Sequence, residues 1–213
     1  MKIICGFLIS LSFLLTSCNT FITETQNWIE NSNIKSSEKL QGHYFPVENG
    51  AVKTFLPVGF ELYSIEKYRV TLDSIMTKNE VRNEIKRLEN MRDMKGSFNL
   101  FFDPYTGSTY TINTLPYMNF NRNDAKMLLS IIKHNNNKTS LTANFNFKKI
   151  TAAFAKNKDF TMFKSIFQID NLKKDTKAFS SSYIISANKR TFMINLTTPI
   201  QVNFDGFIEK MKF

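Results

Sequence analysis

Hydrophobic and polar positions in this chain follow two periods, one helical and one extended, and the switches between them outline the elements. From Val52 to Tyr63 two short apolar pieces flank Pro57 and Gly59, which predicts a strand, a kink and a strand. Val81, Ile85 and Leu88 then recur at helical spacing, with Arg82, Glu84, Lys86, Arg87 and Glu89 on the other faces. This predicts a helix from Asn79 to Lys95, stopped by Gly96. Two β-prone runs, Ser97 to Asp103 and Ser108 to Leu115, flank Pro104-Tyr105-Thr106-Gly107 and read as a hairpin. Asn121 supplies an N-cap with Asp124 three residues on, and Ala125, Leu128, Leu129 and Ile132 share one face. That helix is expected from Arg122 to His134, ending in an Asn135 to Asn137 loop.

The last third reads mostly as strand. Leu141, Ala143, Phe145 and Phe147 alternate with polar residues, and Phe160 to Ile169 is a mixed apolar run. Ser181 to Ala187 pairs naturally with Thr191 to Leu196 across Asn188-Lys189-Arg190, and Phe204, Phe207, Ile208 and Met211 fit a short closing helix. The expected architecture is α+β: an antiparallel sheet of about six strands covered by two or three helices.

The N-terminus has a different character. Lys2 precedes an apolar stretch of 13 residues, Ile3 to Leu15, short of the roughly 20 that a membrane span needs. It therefore reads as an export signal. Leu15-Thr16-Ser17-Cys18 resembles the lipobox of bacterial lipoproteins, which implies diacylation of Cys18 and cleavage in front of it. Residues 1–17 are thus expected to be a lipoprotein signal peptide and 18–41 the lipidated cysteine and a polar tether, with one helical turn near Trp28. Residues 42–213 are expected to form a single α+β domain. Cys5, the other cysteine, lies in the segment to be removed, so the domain is expected to rely on its core and not on disulfides.

Charge changes the picture only slightly. The formal net charge is +10, and loss of the leader removes Lys2 and no acid, leaving +9. The basic residues are scattered, with no run longer than pairs such as Lys148-Lys149, Lys173-Lys174 and Lys189-Arg190. They read first as a solvated surface and second as an attraction to anionic headgroups or glycans. Export argues against nucleic acid. Asn19-Thr20-Phe21 after the cysteine lacks both the aspartate of enterobacterial inner-membrane retention and the acidic residues associated with surface display in Bacteroidetes. By resemblance, the domain should face the periplasm from the outer membrane.

Leu56-Pro57-Val58-Gly59-Phe60, the central hairpin followed by a helix, and the final hairpin leading into Phe204-Asp205-Gly206-Phe207-Ile208 are similar to the PsbP family of the photosynthetic oxygen-evolving complex. The similarity spans roughly Val52 to Phe213. It implies an antiparallel sheet between helices and an assembly or stabilising accessory role without catalysis. No family binding residue carries over, because no motif matches position by position. A cystatin-like or other α+β lipoprotein domain is the competing fold.

No catalytic constellation and no cofactor motif is legible. The histidines, His43 and His134, are far apart, and His134 is expected to complement the dipole at the end of its helix. Without cysteines, a Cys or His zinc site is excluded, and no metal site is expected. No nucleophile elbow or phosphate-cradling glycine loop occurs. Asp103 is expected to cap its turn by accepting backbone N–H bonds. Tyr105, Tyr117 and Phe120 fall in or beside turns, where they either pack the core or anchor a protein or glycan. Asp73-Ser74-Ile75 resembles the O-glycosylation acceptor of exported Bacteroidetes proteins, which makes Ser74 a candidate site. The leading expectation is a membrane-anchored, non-catalytic binding or accessory lipoprotein of the cell envelope. An envelope glycan or lipid hydrolase using carboxylates, and an immunity-type lipoprotein, are the alternatives.

Overall fold

The computed structural model describes residues 40–213. The expected signal peptide, Cys18, the turn near Trp28 and all but the last two residues of the expected tether lie outside the described residues. Nine strands and four helices follow. A first hairpin joins β1 (His43–Val47) to β2 (Val52–Leu56) as a separate two-stranded sheet. After β3 (Glu61–Tyr63) come two helices, α1 (Ile65–Asp73) and α2 (Lys78–Arg92). The hairpin of β4 (Ser97–Asp103) and β5 (Ser108–Pro116) leads to α3 (Arg122–Thr142). Strands β6 (Phe145–Lys156), β7 (Phe160–Asn171), β8 (Thr176–Ala187) and β9 (Arg190–Thr198) precede α4 (Asp205–Glu209). The main sheet is antiparallel throughout, in the order β3-β4-β5-β9-β8-β7-β6.

The α+β expectation is met with seven strands in the sheet where about six were expected. The finer boundaries differ in instructive ways. The sequence reading has no strand at β1, whose Pro46 sits in a hairpin outside the main sheet. It also has no α1, although Ser64 caps this helix by accepting from Lys67 N at 3.0 Å. Its buried residues, Ile65, Tyr68 and Leu72, form a stripe of only three. Helix α3 runs through the asparagines expected to end it. Thr139 and Ser140 hydroxyls donate to the Asn135 and Asn136 carbonyls, and the turn continues to Thr142. Leu141 is consequently helical and not part of a strand. Gly96 lies four residues beyond the end of α2 and is no helix stop. Its φ is +117°, and a Cβ there would strike the Thr114 carbonyl across the ladder.

Register assigns each side chain to one face of the sheet, since cross-strand partners point the same way. On the first face, Phe101, Tyr110, Ile112, Leu196, Ile194, Phe192, Tyr183 and Ile185 are buried against the β1 and β2 hairpin and against Phe204, Phe207, Ile208 and Met211 around α4. Each of the two large polar rings in this core is tied down. The Tyr110 hydroxyl bonds with Thr54 Oγ1 at 2.9 Å, and Tyr183 donates to Asp205 Oδ1 at 3.1 Å. On the opposite face two separate clusters form. α1 and α2 cover Leu100 and Phe102, while α3 covers Phe163, with Ala152, Phe154 and Ile184 packed alongside.

The turns carry the strain that hairpins need. Asn188 and Lys189, at φ 44° and 59°, make a two-residue loop between β8 and β9. Gly96 and Gly107 both have positive φ, but a Cβ on Gly107 meets nothing within 4 Å. Gly107→Ala should therefore cost about 1–2 kcal/mol, the left-handed penalty alone. Gly96→Ala adds a backbone collision and should cost more than twice that. Thermal melts of the two variants test this, at roughly 2–4 °C per kcal/mol for a chain of this size.

Candidate functional site

The space between the two helical covers is where the sheet becomes polar. Following the ladder across the strands, one row reads Leu100, Thr111, Asn195, Ser182, Ser165 and Ala152. Its four central members are hydroxyls and an amide. The neighbouring row contributes Thr109, Thr197 and Ser180, and the row on the other side contributes Asn113 and Met193. Alternation alone explains their common direction, because the residues between them, such as Tyr110, Ile112, Ile194, Leu196 and Tyr183, all point to the apolar face.

This polar floor is bounded on four sides. α2 forms one wall, joined to the floor where Asn113 Nδ2 donates to the Met91 carbonyl at 2.6 Å. α3 forms the opposite wall over β6 and β7. Strand spacing of about 4.8 Å separates the two helix axes by roughly 20 Å. Helix diameters of about 10 Å leave a gap of roughly one extended polymer chain. One end is crossed by the segment after β5, where Met118 N donates to Thr191 Oγ1 at 2.8 Å and Ser186 Oγ donates to the Met118 carbonyl at 2.6 Å. The other end is spanned by Lys174, in the β7–β8 turn, which reaches Glu80 of α2 at 2.7 Å.

Two groups in the floor lack partners. Asn113 Oδ1 and Ser165 Oγ belong to residues only 1% exposed and, among the described residues, have no hydrogen-bond partner. A buried polar atom left unpaired costs on the order of 1–3 kcal/mol, and both atoms lie beneath the surface of the floor. Between them Ser182 Oγ donates to Asn195 Oδ1 at 2.8 Å, and Asn195, Ser182, Ser180 and Thr197 remain half-buried. The charged groups on the α2 side are committed to one another. Arg87 grips both oxygens of Glu84 at 2.8 and 2.7 Å. Burial pushes the nearby Tyr68 phenol up to about 12, and its hydroxyl bonds with Thr109 Oγ1 at 3.0 Å. The basin thus offers neutral donors and acceptors, with its ions paired at the rim.

The residues singled out from sequence do not meet here. Ser74 is exposed at the C-terminal end of α1, with its hydroxyl donating to the Thr71 carbonyl at 2.7 Å. His43 starts β1 and is exposed. His134 is also exposed, but α3 continues for eight residues beyond it, so it stands mid-helix and the expected dipole role falls away. Asp103 does cap its turn: Oδ1 accepts from Tyr105 N and Thr106 N at 3.0 and 3.3 Å, and Oδ2 accepts from Thr106 Oγ1 at 2.7 Å. Gly59 packs against this carboxylate so closely that a Cβ would lie 2.8 Å from Oδ2. Phe120 is core, whereas Tyr105 and Tyr117 are exposed. Among the described residues no group of three or more His, Cys, Asp or Glu side chains is placed to hold a metal ion.

On the apolar face, Lys164 Nζ contacts Asp205 Oδ1 and Oδ2 at 2.8 and 2.6 Å, joining the centre of β7 to the start of α4. Burial and the Asp205 carboxylate both raise the Tyr183 phenol, so it remains a protonated donor to that carboxylate. A second, wider depression of about 450 Å³ lies at the sheet edge, where the three-residue β3 leaves β4 residues Phe98 and Asn99 uncovered.

No family model matches the sequence, and no curated protein matches it. In structure the chain is similar to the crystal structure of the Ran-binding protein Mog1p of Saccharomyces cerevisiae. The identity is 10%, covering 76% of this chain and 79% of that one, with a TM-score of 0.43. It is also similar to the solution structure of cyanobacterial PsbP, CyanoP, from Synechocystis. There the identity is 9%, covering 84% of this chain and 96% of that one, with a TM-score of 0.48.

The tie that closes the basin is acid-resistant. Bonds from Lys174 and from Thr77 hold the Glu80 carboxyl down at about 2, against about 4.3 for a free glutamate. A depressed folded-state value means that its contribution is complete above the free value and fades as pH falls toward 2. NMR titration should show the Glu80 carboxyl still ionised at pH 3. In Lys174→Ala the midpoint should move up toward the ordinary range.

Proposed function

We propose that this chain is a lipid-anchored, non-catalytic binding protein of the cell envelope, tethered through Cys18 and facing the periplasm. On this reading the polar basin is its binding surface. The observation that supports it best is the floor itself. Thr111, Asn195, Ser182 and Ser165 stand in one row, and Asn195 and Ser182, with Ser180 and Thr197 beside them, stay half-buried and open to a partner. A hydrolase of the two-carboxylate kind needs a general acid and a second carboxylate a few ångströms from the bond it cleaves. The basin floor instead presents hydroxyls and amides, whose chemistry is recognition by hydrogen bonding. A gap one chain wide suits an extended, hydroxyl-rich or amide-rich partner such as an envelope glycan or a protein segment.

Support for the anchor comes from the sequence: the lipobox-like Leu15-Thr16-Ser17-Cys18 and the polar stretch up to residue 41 suit a domain held off the bilayer. A single short acyl chain binds membranes marginally, and diacylation supplies the firmer hold this reading requires. Ser74, exposed at the end of α1, is the candidate acceptor for an O-glycan under the same reading.

Affinity capture from detergent-solubilised envelopes tests both halves. The mature N-terminus should carry a diacylglycerol-modified Cys18, and the wild type should retain one envelope component reproducibly. Ser182→Arg, which puts a long charge into the floor, should reduce that retention at least tenfold while leaving the lipid in place. An unmodified N-terminus contradicts the anchor, and retention unaffected by Ser182→Arg contradicts the basin.

A further inference from the structure

The cavity beside Asp205 has a chemistry unlike the rest of this basic protein. It holds about 160 Å³ and is lined by Phe160, Met162, Ile185, Ile208 and Phe213, with Asp205 and Glu209 as its only charged members. The walls come from the sheet and from α4. Met162 and Ile185 are cross-strand partners, as are Phe160 and Ala187. Ile208, Asp205 and Glu209 belong to α4, and the last two are one turn apart. The nearest arginine in the register, Arg190 opposite Ala187, is drawn away by Glu48 at 2.9 Å.

The two carboxylates have different states. Asp205 receives Lys164 on both oxygens and Tyr183 on Oδ1, which fixes its orientation, yet its side chain stays 37% exposed. Glu209 is exposed, and among the described residues no lysine or arginine pairs with it. Among the described side chains the cluster therefore sets two negatives against the single positive charge of Lys164. An apolar hollow with an uncompensated carboxylate at its mouth is complementary to a cation with an apolar body. A dry cavity of roughly 150 Å³ is the size that holds one benzene ring, too small for a folded segment of another macromolecule.

We infer that this cavity is a binding site for a small free amine: a single ring or a short alkyl group in the apolar hollow, with its ammonium on Glu209 and the open side of Asp205. The ring or chain would touch Phe160, Met162 and Ile208. This site lies on the apolar face of the sheet, opposite the polar basin, and does not depend on the basin's role.

The test is a titration of the full chain in detergent with benzylammonium, using neutral benzyl alcohol and anionic benzoate as references. Binding is read from the methyl resonance of Met162, which reports this site and not the micelle. Benzylammonium should shift that resonance saturably and bind at least tenfold tighter than benzyl alcohol, with benzoate weakest. Glu209→Gln, an exposed position whose loss leaves the core untouched, should shrink the tenfold preference to about threefold or less without changing benzyl alcohol binding. Met162→Trp, which fills the hollow and is read from the Ile208 methyl resonances instead, should abolish binding of both. Equal affinity for amine and alcohol, absence of a saturable shift, or a preference that survives Glu209→Gln would overturn the assignment. A lysine-containing tripeptide that binds more tightly than benzylammonium would overturn it as well, by making the ligand a protein side chain.

Discussion

Register in the seven-stranded ladder is the constraint on which the rest of the structure depends. A slip of one residue in β5, β8 or β9 would exchange the two faces, because side chains alternate with a period of two. Tyr110, Ile112, Ile194, Leu196 and Tyr183 would then meet solvent, and Thr111, Asn195 and Ser182 would enter the core. The cost of burying those hydroxyls without partners, added to the loss of apolar burial, leaves one pairing far below its neighbours in free energy. The fold and the basin are therefore two consequences of one alternation. The residues that make the apolar core on one side set the polar strip on the other.

The helices complete the division. α1 and α2 close over Leu100 and Phe102, and α3 closes over Phe163, each burying a stripe at its own end of the sheet. The central strands lie between them. α2 offers Glu80, Glu84 and Arg87 there, and these form the ion pairs at the rim. The same economy appears on the first face, where the short α4 supplies Phe207 and Ile208 to the core and Asp205 to Lys164. The donors and acceptors of the polar strip are held by a rigid support, strands locked on both sides by ladder bonds.

Much of the fold is legible in the sequence, and the parts that are not share physical reasons. The β4 and β5 hairpin, the β8 and β9 hairpin, α2 and the start of α3 carry strong periodicity together with turn or cap residues such as Asp103, Asn188, Asn121 and Thr77. α1 escapes notice because it buries one residue per turn and leaves Val70 72% exposed. The end of α3 is obscured by Asn135 to Asn137, whose propensity is for loops, although the Asn135 and Asn136 carbonyls accept from Thr139 and Ser140 inside the continuing helix. The candidate site is almost wholly hidden in sequence. Thr111, Ser165, Ser182 and Asn195 are single polar residues in four strands, and only the pairing of those strands brings them into one row. The cavity beside Asp205 is equally hidden, since its walls come from β7, β8 and α4, which only the fold brings together.

The central claim is that the basin between α2 and α3, and no other surface of the domain, meets the envelope partner. The most direct measurement is site-specific photocrosslinking in intact cells, with a photoreactive side chain placed at Ser182, at Thr197 and, outside the basin, at Val70. The account predicts one common adduct from Ser182 and Thr197 and none from Val70. Adducts from Val70 alone, or the same adduct from all three positions, would contradict it.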